Sequence, residues 1–191
     1  MKQTTSSILR GKIRHLISLS FCLAFPAVAL LCASAEPGKT PAAPAFSGNI
    51  LGVEVRAEHL GIVLDISESM KPALPAVRAD LAAKVPRNPV VHVDGCRLEK
   101  PDPGATIQNG LASETVTAMI ALAEKAEVDT VLWISDQGDP HVRDGIQFLE
   151  KILTEHELKL IVLSLKNKPS PSLRNLAEAS EGSWSVVQVA K

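Results

Sequence analysis

Asp65, Ser67 and Ser69 are spaced two residues apart in the run Asp65-Ile66-Ser67-Glu68-Ser69, directly after the apolar segment Leu60-Gly61-Ile62-Val63-Leu64. An apolar run of that length bounded by polar residues reads as a buried strand. Asp65 then falls at the strand's carboxyl end, where open α/β sheets bind their ligands. One carboxylate and two hydroxyls on a single turn offer oxygen donors only, the set that a hard divalent cation such as Mg2+ takes while keeping some of its water. A second carboxylate, Asp136, closes another apolar run, Thr130-Val131-Leu132-Trp133-Ile134-Ser135. An isolated Asp-x-Ser-x-Ser sequence is weak evidence, because Asp and Ser populate turns and caps for backbone reasons. Two strand-end aspartates with hydroxyls on neighbouring loops of one sheet edge are a stronger signal.

The elements that must position these residues follow from periodicity. Residues 50–56 are expected to form a short strand and residues 60–64 the first central one. Leu74, Val77, Leu81 and Val85 recur at helical spacing over residues 71–85, with Pro72 in a first turn where a missing N–H costs little. Pro86 and Pro89 close that helix. Residues 90–93 read as a strand, residues 97–100 as a short returning edge, and Pro101, Pro103 and Gly104 as a turn. Ser113 stands where an N-cap belongs, ahead of a helical face of Val116, Met119, Ile120 and Ala123. Strand 130–135, helix 142–155, strand 158–165, helix 172–179 and strand 185–189 complete the chain. Strands alternating with helices imply right-handed crossovers and a mostly parallel sheet with helices on both faces.

These residues resemble the von Willebrand factor type A domains. The resemblance rests on Asp65-x-Ser67-x-Ser69, on the tract from Ser113 through Ala118-Met119, and on Asp129 to Asp136, in the family's order and spacing. Phe46-Ser47-Gly48 at the start is similar to exported bacterial members, and Leu173 to Gly182 to the family's Leu-x-x-Leu-Ala ending. The resemblance implies a Rossmann-like three-layer sandwich carrying a metal-ion-dependent adhesion site. Its ligands would be Asp65, Ser67, Ser69, Ser113 and Asp136, with Ser113 at the position of the family's Thr. The implied ion is Mg2+, with Mn2+ or Ca2+ as alternatives, and an open coordination position would accept an acidic side chain from a partner protein. Three features depart from the family pattern. Glu68 replaces a Gly between the two serines and would put a third carboxylate beside the site. The usual Asp-Gly reads Asp136-Gln137-Gly138-Asp139, and the span between the first helix and Ser113 is short.

Of 191 residues, 46% are hydrophobic and 21% charged, as in an ordinary globular domain. Lys2, Arg10, Lys12 and Arg14 precede an apolar stretch ending in Ala33-Ser34-Ala35, the layout of a secretory signal peptide over residues 1–35. The rival reading is an uncleaved membrane anchor, which Pro26 interrupts. Residues 36–45, with Pro37, Gly38, Pro41 and Pro44, read as a linker, leaving 46–191 as the domain. The product would be exported, periplasmic or secreted. Cleavage removes four basic residues and no acidic one, so the formal net charge moves from −1 to −5. That balance argues against nucleic acid or an anionic membrane as partner. Cys96 would remain alone, with no intrachain disulfide.

Catalysis is not expected. A haloacid dehalogenase-type phosphohydrolase needs a second carboxylate two positions after the strand-end Asp, where this chain has Ser67, and without that acid the leaving group has no obvious proton donor. No Gly-x-Ser-x-Gly elbow is present. The third reading is a metal-free scaffold with a vestigial site.

Overall fold

The computed structural model describes residues 46–88, 90–92, 104–109, 114–136 and 145–189. Residues 1–45, the expected signal peptide and linker, lie outside them, as do the expected edge strand 97–100, Cys96 and the turn at Gln137-Gly138-Asp139. Eight strands and four helices are described: β1 (Phe46–Ile50), β2 (Val53–Ala57), β3 (Leu60–Asp65), α1 (Leu74–Lys84), β4 (Val90–His92), β5 (Thr106–Asn109), α2 (Glu114–Lys125), β6 (Thr130–Ser135), α3 (Gly145–Glu155), β7 (Lys159–Ser164), α4 (Pro171–Ala179) and β8 (Ser183–Val186). No helix among the described residues is long and apolar enough to cross a membrane.

The architecture is an α/β, Rossmann-like three-layer sandwich. Six strands form one sheet in the order β4-β5-β3-β6-β7-β8, and all five pairings in it are parallel. β3, β6 and β7 are near-continuous apolar runs because both of their faces are covered. Alternate side chains serve the two sides. Val63, Val131, Trp133, Leu160 and Val162 pack with α2, α3 and α4. Ile62, Leu64, Leu132, Ile134, Ile161 and Leu163 pack with α1 and with the β1–β2 pair. That division follows from connections of one hand. The chain runs to one side of β3 through α1 and to the other through α2, α3 and α4, so the same hand delivers α1 alone to the opposite face. The uncovered remainder of that face is closed by Ile50, Val55 and Ala57 of the hairpin.

Several element boundaries differ from the sequence expectation. Residues 50–56 form no single strand; Leu51 and Gly52, with φ of +50° and +85°, turn the chain between β1 and β2. A two-residue hairpin turn needs positive φ at both positions, and only Gly52 announces it. The first helix begins at Leu74, because Pro75 is accommodated only in a first turn. β5 was not anticipated from Thr106-Ile107-Gln108-Asn109, a short and mostly polar segment, yet it lies between β4 and β3. β8 sits at Ser183–Val186, two residues ahead of the expected start and three short of the expected end.

Close approach of backbones constrains the far edge of the sheet. α4 ends with Glu181 in the left-handed region, Gly182 N–H donating to Ala177 O and Glu181 N–H to Glu178 O, the paired bonds of a Schellman motif. A Cβ on Gly182 would stand 1.9 Å from the Leu160 carbonyl oxygen of β7. Gly182→Ala is therefore expected to lower unfolding free energy by about 3 kcal/mol, measured by urea denaturation. A midpoint within error of wild type would contradict this close packing of β7 against the end of α4.

Candidate metal centre

Four of the five sequence-predicted ligands come together at the carboxyl ends of β3 and β6. Asp65 is the last residue of β3 and Asp136 follows the last residue of β6; these strands are hydrogen-bonded neighbours. The chain leaves β3 through α1 towards one edge of the sheet and β6 through α3 towards the other, so the crevice between their ends lies at a topological switch point. Ser113, the fifth, lies outside the described residues; α2 begins one residue later, at Glu114.

Local structure fixes the loop after Asp65. Residues Glu68–Met70 form a single 3₁₀ turn, closed by Met70 N–H to Ser67 O at 3.0 Å and Lys71 N–H to Glu68 O at 3.3 Å. Met70 is fully buried and pins this turn to the α1 side of the core. Ser67 occupies the N-cap position but makes no side-chain cap bond, so its hydroxyl is not consumed by the backbone. It lies 3.1 Å from the Ser69 hydroxyl, which in turn donates to Asp136 Oδ1 at 3.0 Å. Asp65 holds the start of the loop: its Oδ1 accepts from Ser67 N–H at 2.8 Å and its Oδ2 from the Ser135 hydroxyl at 2.9 Å.

The Ser67 and Ser69 hydroxyls and Asp136 Oδ1 form one run of adjacent oxygens, to which Asp65 is tied through the Ser67 backbone N–H. Both carboxylates are nearly buried, Asp65 at 9% and Asp136 at 2% exposure. Buried carboxylates need hydrogen bonds or a counter-charge to offset lost hydration. For Asp65 the two donors above supply this. Asp136 Oδ2 instead meets the Lys166 ammonium at 2.6 Å, and the same ammonium lies 3.4 Å from Ser69 O.

Glu68 is no third carboxylate of the cluster. Its side chain is 84% exposed and pairs with Lys71 at 2.5 Å, because the 3₁₀ turn carries position 68 to the outside while 67 and 69 face the crevice. Sequence reasoning missed Ser135 and Lys166. The available signal was their position, one closing strand β6 and the other two residues past β7, at the sheet edge that the aspartates had already marked.

The donor set fits a small hard cation. Octahedral Mg2+ at about 2.1 Å separates neighbouring ligand oxygens by roughly 3.0 Å. The observed separations, 3.1 Å between Ser67 and Ser69 and 3.0 Å between Ser69 and Asp136, are of that size and equally suit direct hydrogen bonds. Among the described residues no group of three or more His, Cys, Asp or Glu gathers at one point, so the set is two carboxylates and two hydroxyls. A cavity of about 160 Å³ opens beside it, lined by Ser69, Asp136 and Lys166 and by Met70, Pro72, Ala73, Leu165 and Val189. A larger cavity of about 540 Å³ lies at the other end of the sheet, around Glu157, Lys159 and Glu181, and touches none of these residues.

No protein-family model matches this sequence, and no curated protein and no solved structure matches it either.

If Asp65 is held by Ser135 as the geometry states, Ser135→Ala leaves a nearly buried carboxylate oxygen short of a donor. A loss of about 1–2 kcal/mol in unfolding free energy is expected, read by chemical denaturation. An unchanged stability would show that the bond carries no weight.

Proposed function

We propose that this chain is a binding module of the von Willebrand factor A type, exported after removal of residues 1–35. In this reading Asp65, Ser67, Ser69, Ser113 and Asp136 hold a divalent cation, Mg2+ first, through which the module engages a protein partner. The observation that carries this reading is the run of adjacent oxygens from Ser67 and Ser69 to Asp136, with Asp65 bonded to the Ser67 N–H, at a sheet switch point. Bound there, Mg2+ would supply an electrophilic centre with exchangeable positions suited to a partner's carboxylate.

The residues divide the work. Ser67 and Ser69 present neutral hydroxyls, which satisfy the ion without cancelling its charge. Asp136 presents Oδ1 on the same side as Ser69. Asp65, with both oxygens engaged by Ser67 N–H and Ser135, holds the loop and contributes negative charge from behind it. The apolar lining of the adjoining cavity, Met70, Pro72, Ala73, Leu165 and Val189, offers contact area beside a carboxylate without a competing acid.

A second reading has its own support. Lys166 already compensates Asp136, so the domain can close this edge without a metal and serve as a scaffold. Isothermal titration of MgCl2, MnCl2 and CaCl2 into the protein, beside a Ser67→Ala/Ser69→Ala double variant, separates the two. The metal-binding reading expects saturable Mg2+ binding, tighter than Ca2+, and at least about tenfold weaker in the double variant, the loss of one to two ligand bonds. Heats no larger than dilution for a folded wild type would leave the scaffold reading in possession.

A further inference from the structure

We infer that Lys166 is an intramolecular counter-cation of this site, and that a divalent cation enters by exchange with its ammonium group. The inference rests on the metal-binding reading above and specifies how the site is regulated.

The register of the sheet puts Lys166 where it is. Ser135 and Ser164 are level across β6 and β7, and Leu165 N–H donates to Ser135 O at 2.9 Å. Asp136, one residue past the end of β6, and Lys166, two residues past the end of β7, therefore leave neighbouring strands at the same edge of the sheet. The Lys166 ammonium then lies 2.6 Å from Asp136 Oδ2 and 3.4 Å from Ser69 O, and Asn167 Nδ2 lies 3.5 Å from Asp136 O. Its contacts are thus to two of the proposed ligand residues themselves. An ammonium and a divalent cation at bonding distance from the same carboxylate repel strongly in a partly buried setting.

Charge and exposure both favour exchange over coexistence. Asp65, Asp136 and Lys166 together carry one net negative charge. Replacing the ammonium with a divalent cation leaves the cluster neutral, whereas keeping both leaves an excess positive charge beside the core. Asp136 has only 3% of its side chain exposed, but Lys166 has 57%. Its flexible stem can carry the ammonium into water at little desolvation cost, while the carboxylate cannot follow. Without metal the lysine keeps a buried carboxylate compensated; with metal it is released to the rim of the cavity it lines. The affinity for Mg2+ is then set below what the oxygen donors alone would give.

The test is calorimetric titration of MgCl2 into wild type, Lys166→Gln and Lys166→Arg, with Ser67→Ala/Ser69→Ala as reference, and thermal unfolding of each in EDTA and in MgCl2. Lys166→Gln is expected to bind Mg2+ about tenfold or more tightly than wild type, a coupling of ordinary size. Lys166→Arg, which keeps the charge, should show no gain. Lys166→Gln should also melt lower than wild type in EDTA and recover more on adding Mg2+. Mg2+ binding by Lys166→Gln with none detectable in wild type overturns exchange, because the ammonium then excludes the ion and does not yield to it. If Lys166→Gln folds only with Mg2+ present, that supports exchange; failure to fold at any Mg2+ concentration overturns it. Equal affinities in all three chains, lost in the serine double variant, overturn the exchange and leave the metal site standing. No binding by any folded chain overturns both.

Discussion

Asp65 and Asp136 are two nearly buried carboxylates at the carboxyl ends of adjacent parallel strands, and their charge has to be offset locally. An unpaired buried carboxylate costs several kcal/mol, a large part of the net stability of a domain this size. Much of the architecture around them answers that need. The turn after β3 aims Ser67 N–H at Asp65, Ser135 reaches across from β6, Ser69 reaches Asp136, and Lys166 arrives from β7. The partners come from three segments, the turn after β3 and the ends of β6 and β7, which parallel pairing brings to one edge of the sheet. The same arrangement that satisfies the aspartates creates a polar crevice with hydroxyls on one wall and the Lys166 ammonium on another.

The layers around the crevice keep it rigid. α2, α3 and α4 cover one face of the sheet, and α1 with the β1–β2 hairpin covers the other. Met70, immediately after Ser69, is buried in the α1-side core, so the loop after Asp65 is anchored by packing rather than left as a free surface segment. Buried strands backed on both sides position side chains more firmly than loops do, and here three of the relevant positions, Asp65, Ser135 and Asp136, are strand ends or adjoin one. The cavity beside them is small and mostly apolar.

Much of this was legible in the chain. Near-continuous apolar runs at 60–64 and 130–135 identified buried parallel strands, and their ends located both aspartates. The helices expected over 142–155 and 172–179 correspond to α3 and α4. What escaped had physical reasons. The hairpin turn at Leu51-Gly52 depends on a Leu at positive φ, which composition does not announce. β5 is four residues long and largely polar, and it becomes a strand because β3 and β4 pair on either side of it. Glu68 looked like part of the site because sequence distance does not reveal which way a 3₁₀ turn points. Lys166 was invisible as a partner of Asp136 because their contact spans 30 positions and depends on register.

The account turns on whether oxygens from Ser67, Ser69 and Asp136 share one divalent ion. Crystals grown with MnCl2 and measured for anomalous scattering would test this directly. The account predicts one Mn2+ peak within bonding distance of both serine hydroxyls, with the Lys166 ammonium withdrawn from Asp136. Crystals showing an ordered loop, Lys166 still seated on Asp136 and no anomalous peak between the serines would contradict it.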